Sequence, residues 1–368
     1  MGRDVLRVSG VKVTFHTYAG DVKALDGVEL TVRKGELLGL VGESGCGKSV
    51  TSLAIVGLLP PNAEVEGGEI ILDGKDLLKA SREEMRMVRM TEIAVVFQDP
   101  MTYLNPVQTV GSQISEIILR ESKIFTPVVV KDRLELLEAQ IKAGRGGPDL
   151  QEEKERLLRA QQGGSLERGE LGRLANEYAT SILRKVRFPE PERAFKQFPF
   201  ELSGGMRQRA MIAMAMARRP KLMLADEMTT ALDVTVQAQI LQLMKDLKKE
   251  IDASVVLITH DMAVVAEVCD RVAVMYAGNI VEVATADELF RDPLHPYTQS
   301  LLASVPRIDS SASEYPSIKG SVPNLMFPPT GCRFHPRCPK AFEKCPQVKP
   351  PLLEVKPGHF VACLLYEK

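Results

Sequence analysis

Three short, unbroken apolar runs stand out along the chain: LLGLV (37–41), KLMLA (221–225) and SVVLIT (254–259). Runs of this length without polar alternation predict strands buried on both faces, as in a parallel sheet. Each leads straight into residues that carry chemistry: GESGCGKS, DEMTTALD and HD. Open α/β sheets place ligands at the carboxyl ends of their strands, so these three ends predict one site. Residues 3–34 and EIILD (69–73) alternate apolar and polar positions instead. With Asp-Gly turns expected at 26–27 and 73–74, they predict antiparallel β structure.

Residues 121–180 change texture and become rich in Lys, Arg and Glu. Leu134, Leu137 and Ile141 recur at helical spacing, KAGRGGPD interrupts, and LQEEKERLLRAQQ resumes the pattern before GGS. This predicts two charged helices, arranged as a hairpin, inserted into a larger helical segment; a charged loop without regular structure is the alternative. Beyond about 290 prolines multiply (PLHPY, VPNLMFPPTG, CPQVKPPLL) and periodicity fades. A separate, loop-rich appendage is expected there, and small loop-rich units need a staple.

Composition narrows the functional classes. The chain has 368 residues with a net charge of −1, which argues against a general nucleic-acid binder. Membrane-spanning helices need roughly 18–20 consecutive apolar residues, and no run approaches that. The opening MGRDVLRVSG has early charges and no apolar core, and Leu6 stands where a myristoylation signal wants Ser or Thr, so neither a secretory leader nor a lipid anchor is expected. A cytosolic protein is predicted, one that reaches a membrane only by docking on a partner.

Gly42-Glu43-Ser44-Gly45-Cys46-Gly47-Lys48-Ser49 follows the first apolar run and precedes a helical stretch, SVTSLAIVGLL. That context marks a phosphate loop: glycines let backbone N–H groups close on phosphates, Lys48 supplies a charge and the Ser49 hydroxyl reaches Mg²⁺. Residues Ser44, Gly45, Cys46, Gly47, Lys48, Ser49 and Val50 are the expected nucleotide contacts, with Cys46 a small filler. Asp226 and Glu227 end the second run, where two carboxylates are costly unless a cation meets them. Asp226 is expected to hold Mg²⁺ through water and Glu227 to polarise an attacking water. His260, ending the third run, is expected at the γ-phosphate. Gln98, after AVVF, is expected to reach Mg²⁺ and the attacking water. A second phosphate reader is Ser203-Gly204-Gly205, which opens the helical run RQRAMIAMAMARR; a helix start presents free N–H groups and a positive dipole end.

Taken in order, GESGCGKS, Gln98, LSGGM, LMLADE, the ALD of 231–233 and His260 resemble the ATP-binding subunit of an ABC transporter over about residues 4–290. The resemblance implies an α/β phosphate-loop core with an antiparallel β subdomain and a helical subdomain at about 99–205, the latter facing the membrane partner. It implies two subunits meeting head to tail, with Ser203, Gly204 and Gly205 of one pressing on ATP held by the other's loop, and Asp233 at the seam. It also implies an aromatic stacked on adenine, for which Tyr18 is the first choice and Phe15 the second. QDPMTYLNP (98–106), DPLHPYTQSLL (292–302) and GCRFHPRCPKAFEKC (331–345) resemble ATPase subunits of oligopeptide and dipeptide importers. This implies ATP hydrolysis that drives dimer closure and peptide import. The implied partners are a second, different ATPase chain, two transmembrane permease subunits and, indirectly, an extracytoplasmic solute-binding protein. The implied location is the cytoplasmic face of the membrane. Relatives that carry oligosaccharides or nickel, and soluble ABC ATPases of DNA repair or the ribosome, are the competing readings; the HPYT segment and cysteine tail have no place in the soluble ones. Two departures are visible: Met228 stands where the family has proline, and the charged stretch 121–178 lengthens the span from Gln98 to Ser203.

Four of six cysteines, Cys332, Cys338, Cys345 and Cys363, crowd the tail. In a reducing compartment this favours a metal over disulfides. By count, zinc and an iron–sulfur cluster serve equally, and the spacing fits neither usual pattern. The importer resemblance implies a [4Fe–4S] cluster, ahead of zinc and of an unligated reduced tail. A structural staple is the expected role and a redox sensor the alternative; His335 is expected to be a surface residue, with a ligand role the alternative. Cys269, in an apolar stretch, is expected in the core.

Overall fold

The computed structural model describes residues 3–97, 99–145, 147–161, 166–228, 233–251, 253–304, 318 and 320–367. Among them the strands are β1 (Asp4–Thr17), β2 (Gly20–Arg33), β3 (Leu37–Val41), β4 (Ala63–Leu72), β5 (Lys75–Asp76), β6 (Ile93–Val96), β7 (Leu222–Asp226), β8 (Ser254–Thr259), β9 (Arg271–Tyr276), β10 (Asn279–Thr285), β11 (Leu353–Lys356) and β12 (His359–Val361). The chain divides into two compact units: residues 1–95, 221–227 and 248–368, and residues 96–220 and 228–247.

The first unit holds both sheets. One has the order β2-β1-β4-β5, and the other β11-β12-β10-β9-β3-β8-β7-β6. The three apolar runs form its parallel centre, with β3 paired to β8 and β9 and β7 paired to β8. Every residue of β3 and β8 is buried, as unbroken apolar runs require. Leu38, Leu40, Leu222, Leu224, Val256 and Ile258 share one core with Val8, Val28 and Ile70 of the antiparallel sheet.

Two local expectations need correction. Asp26-Gly27 is not a turn. Val11 faces Val28 and Lys12 faces Asp26, so Gly27 is the extra residue of a bulge inside β2. Its φ of 76° suits a bulge as well as a turn, which is why the dipeptide misleads. The helix after the glycine-rich loop runs only from Lys48 to Ile55, because Gly57 turns left-handed with φ 63°.

The tail is also not a separate appendage. It belongs to the first unit, and β12 joins β10 through Glu282 facing Val361, extending the sheet. One fully buried carboxylate ties it in. Glu282 accepts the backbone N–H groups of Leu294 at 2.7 Å and His295 at 3.0 Å, and lies 2.7 Å from His359 Nε2. His295 caps the helix Pro296–Ala303, its Nδ1 accepting from the Tyr297 N–H at 3.0 Å. Complete burial lowers its pKa to about 4, partly opposed by Glu282. The folded value lies below the unfolded one, so His295 leaves stability intact above the unfolded pKa and withdraws it as the pH falls towards the folded one. About 2 kcal/mol of stability should go between pH 7 and pH 5 on this account, from a pKa of about 4 against an ordinary 6.5. Urea unfolding at both pH values, compared with His295→Gln, checks this; the variant should lack that share of the pH dependence.

In the second unit the charged stretch is helical: Ser122–Lys142, Pro148–Gln161 and Arg168–Lys185. Leu134, Leu137, Leu157 and Leu174 are buried between these helices, and Ile141 is half-buried. Arg133 reaches Glu153 at 2.8 Å, Lys154 reaches Glu138 at 2.9 Å and Arg156 reaches Glu170 at 2.8 Å, so the opposite charges of the insert face one another. Asp132, buried on the first helix, accepts from the Ser181 hydroxyl at 2.9 Å and Lys185 at 3.3 Å.

Candidate active site

The loop between β3 and the helix Lys48–Ile55 is shaped by its glycines. A Cβ on Gly42 would lie 2.1 Å from the Met275 carbonyl oxygen, closer than any side chain is tolerated. Gly47, with φ 111°, is the N-cap, and no side chain caps this helix end. Lys48 is buried and folds over the loop, its Nζ donating to the carbonyls of Gly42 at 2.8 Å and Glu43 at 3.0 Å. Ser44, Gly45 and Ser49 are exposed, and Val50 is half-buried. Cys46 is fully buried, and burial pushes its thiol pKa up, which fits a filler and not a nucleophile.

Asp226 ends β7 beside this loop, close enough to the Ser49 hydroxyl for that group to favour its charged form. Burial, first, raises its carboxyl pKa above the usual range; the Ser49 hydroxyl and Lys48 oppose this and the Glu227 charge adds to it. Its Oδ1 is buried with no hydrogen-bond partner. A buried, unpaired carboxylate oxygen next to a hydroxyl suits a hard cation that keeps its waters, so these residues fit Mg²⁺. Glu227 takes a positive φ of 45° and is held by its N–H, which donates to the Ile258 carbonyl at 2.9 Å. That places its Oε1 3.3 Å from His260 Nδ1, the residue that follows β8. Met228 is buried with 1% exposure. A proline at 228 would disfavour the left-handed turn that Glu227 adopts here.

Tyr18 sits at the β1–β2 turn with its ring fully exposed, free on both faces, while Phe15 packs against the core. Gln98 lies outside the described residues, as do the Ala and Leu of the ALD at 231–233. In the second unit Ser203 caps the fourteen-residue helix Gly204–Ala217, its Oγ accepting from the Met206 N–H at 3.4 Å. Ser203 and Gly204 are exposed. A Cβ on Gly205 would lie 2.5 Å from Val236 Cγ1, so only glycine lets the two helices approach there. Asp233 accepts from the Val236 N–H at 2.9 Å and starts the next helix, Val234–Ile251.

A model of the ABC transporter family matches residues 25–230, and one for the oligopeptide/dipeptide transporter C-terminal region matches 281–345. The chain belongs to the ABC transporter family. It is 43% identical to the dipeptide transport ATP-binding protein DppD of Bacillus subtilis (strain 168), over 99% of this chain and 95% of that one. It is 46% identical to the oligopeptide transport ATP-binding protein OppD of the same strain, over 97% of this chain and 87% of that one. Among solved structures, the ABC cassette MJ0796 shares the fold with a TM-score of 0.56 at 24% identity, over 76% of this chain and 98% of that one. The cbiO1 structure from Clostridium perfringens gives 0.57 at 22% identity, over 79% and 92%. The chain is therefore an ATPase of the ABC class, with the cassette fold.

The four tail thiols are coupled electrostatically: burial first, then Cys363, Cys345 and Cys338, push the Cys332 pKa up to about 11. The Cys332 N–H donates to the Cys345 carbonyl at 2.8 Å. Yet among the described residues no three His, Cys, Asp or Glu side chains close on one point as a bound ion requires. This holds for zinc and for an iron–sulfur cluster alike. His335 turns its Nδ1 to the Cys332 carbonyl at 2.9 Å, which leaves Nε2 as the ring nitrogen that could serve as a ligand. Cys269 is buried in the core against Gly39, as expected. One loop residue went unread at the sequence level: Glu43, whose carboxylate and backbone N–H find partners more than 250 positions away that leave no local signal.

Proposed function

We propose that the chain is the energy-coupling ATPase of a membrane importer for dipeptides or oligopeptides. Support comes from two things together: the loop, Ser49, Asp226, Glu227 and His260 lie in one unit at the ends of parallel strands, and the similarity to dipeptide and oligopeptide transport ATP-binding proteins runs nearly the full length. The observation that carries the ATP site is the orphaned Asp226 Oδ1 beside Ser49. In this reading Lys48 and the loop N–H groups hold the phosphates, Ser49 and Asp226 hold Mg²⁺ with Gln98, Glu227 activates water and His260 orients it. Mg²⁺ supplies charge neutralisation at the transferring phosphate. Tyr18 offers an open ring to adenine. Ser203, Gly204 and Gly205 serve the ATP of a second ATPase chain, and hydrolysis releases the two. Among the described residues no helix is long and apolar enough to cross a membrane, so translocation falls to two permease subunits, docked from the cytoplasmic side and fed by a solute-binding protein. Cys332, Cys338, Cys345 and Cys363 are the residues that would hold a [4Fe–4S] cluster, or zinc as the alternative, as a staple; iron, sulfide and zinc analysis of anaerobically purified protein tests it. The function is tested by reconstituting the chain with its co-purifying subunits in vesicles. ATP-dependent uptake of labelled di- and tripeptides supports the reading, and co-purification with ribosomal RNA or a nuclease overturns it.

A further inference from the structure

The phosphate loop is gripped from outside at one residue, Glu43, by the C-terminal extension. Its backbone N–H donates to the Tyr297 hydroxyl at 2.9 Å. Its carboxylate takes a two-pronged bond from Arg337, at 2.8 Å and 3.0 Å. Its carbonyl meanwhile accepts Lys48 Nζ at 3.0 Å, so Glu43 links the extension to the loop's own cation. The grip is built and not incidental. Arg337 has a side chain only 6% exposed, also reaches the Tyr276 hydroxyl at 3.3 Å and the Gly320 carbonyl at 3.3 Å, and lies 5.7 Å over the Tyr276 ring. Tyr297 is fully buried, 4.7 Å from Tyr276 and 5.3 Å from Phe334 between ring centroids. A second tie runs from Gly278, whose N–H donates to the Cys46 carbonyl at 2.7 Å.

We propose that Arg337 and Tyr297 are positioning residues for ATP: by holding Glu43 at its carboxylate and its backbone, the C-terminal extension presets the phosphate loop. A paired guanidinium and carboxylate fix orientation as well as distance. A loop held in its binding shape has less freedom left to lose when the nucleotide arrives. Neither residue lies in the cassette's own motifs. Arg337 sits immediately before Cys338, so one side chain links the cysteine segment to the loop. The inference rests on the loop being the ATP site.

ATP affinity and turnover are measured on the full chain with its co-purifying subunits. Arg337→Met and Glu43→Gln should each weaken ATP binding about tenfold, since a loop no longer preset has more freedom to lose when it binds. Combined, they should be no worse than either alone, because each already breaks the same pair. The rate at saturating ATP should stay within about twofold, the mark of a positioning role in binding and not in chemistry. Arg337→Lys should recover part of the affinity, and Tyr297→Phe should lose part of it. Lys356→Ala, on the exposed face of the same extension, serves as control. Unchanged affinity in both Arg337→Met and Glu43→Gln, additive losses in the double variant, or a lowered rate with unchanged affinity would each overturn the proposal. If Arg337→Met fails to fold, Glu43→Gln carries the same prediction from the more exposed partner. Lys48→Ala separates the two levels. Retained ATP binding there sinks the loop assignment itself, whereas lost binding alongside normal Glu43→Gln and Arg337→Met sinks only the brace.

Discussion

Glu227→Gln is expected to stop ATP turnover while leaving ATP binding in place. The side chain sits at the end of β7 on a left-handed residue whose N–H is tied to the Ile258 carbonyl, so its position is set by backbone and not by the carboxylate. Glutamine keeps the shape and the contact to His260, 3.3 Å away, but cannot accept a proton from water. General-base loss of this kind lowers a rate by about 10²–10⁴. Phosphate release and nucleotide binding, measured on the same preparation, separate the effects. A rate within about threefold of the unsubstituted chain would remove Glu227 from the reaction.

Lys48→Ala should act on binding instead. Lys48 is buried, and its ammonium now rests on the carbonyls of Gly42 and Glu43. Two partial dipoles are poor substitutes for phosphate oxygens, so the ammonium is poised to exchange them for a charged ligand. Charge-assisted hydrogen bonds contribute about 1.5–3 kcal/mol each, so losing one or two should weaken ATP by about a hundredfold or more. Alanine also leaves the two carbonyls without their donor, which loosens the loop itself. Titration with a fluorescent ATP analogue measures this; affinity within about threefold would show that the loop does not hold the phosphates.

The parallel centre of the sheet was legible because β3, β7 and β8 are buried on both faces and so are mostly apolar, with Asp226, Ser254 and Thr259 confined to their ends. The placement of Asp226 and Glu227 at a strand end was legible for the same reason, since two carboxylates close an otherwise apolar run. Leu134 and Leu137 marked the first insert helix, and the opposite charges around Arg133 and Glu153 explain why so polar a stretch folds. Asp26-Gly27 misled because a left-handed glycine serves bulges and turns alike. The tail was read as a separate appendage because β11 and β12 are only four and three residues long and proline-rich segments surround them. What draws them into the sheet is Glu282 bridging to His359, 77 positions on, and no local pattern records that. The Glu43 brace is invisible for the same reason, its partners being 254 and 294 positions distant.

In the proposed function Ser203 serves an ATP held by a second ATPase chain. Vanadate trapped with Mg-ADP occupies the γ-phosphate position and cleaves adjacent backbone under ultraviolet light, so the cut positions report which residues touch that phosphate. In the assembled complex this chain should be cut both at its own loop and at Ser203. Replacing the partner's phosphate-loop lysine should abolish the Ser203 cut, while Lys48→Ala in this chain should spare it and remove only the loop cut. A Ser203 cut that survives loss of the partner's lysine and vanishes with Lys48→Ala would contradict the shared site.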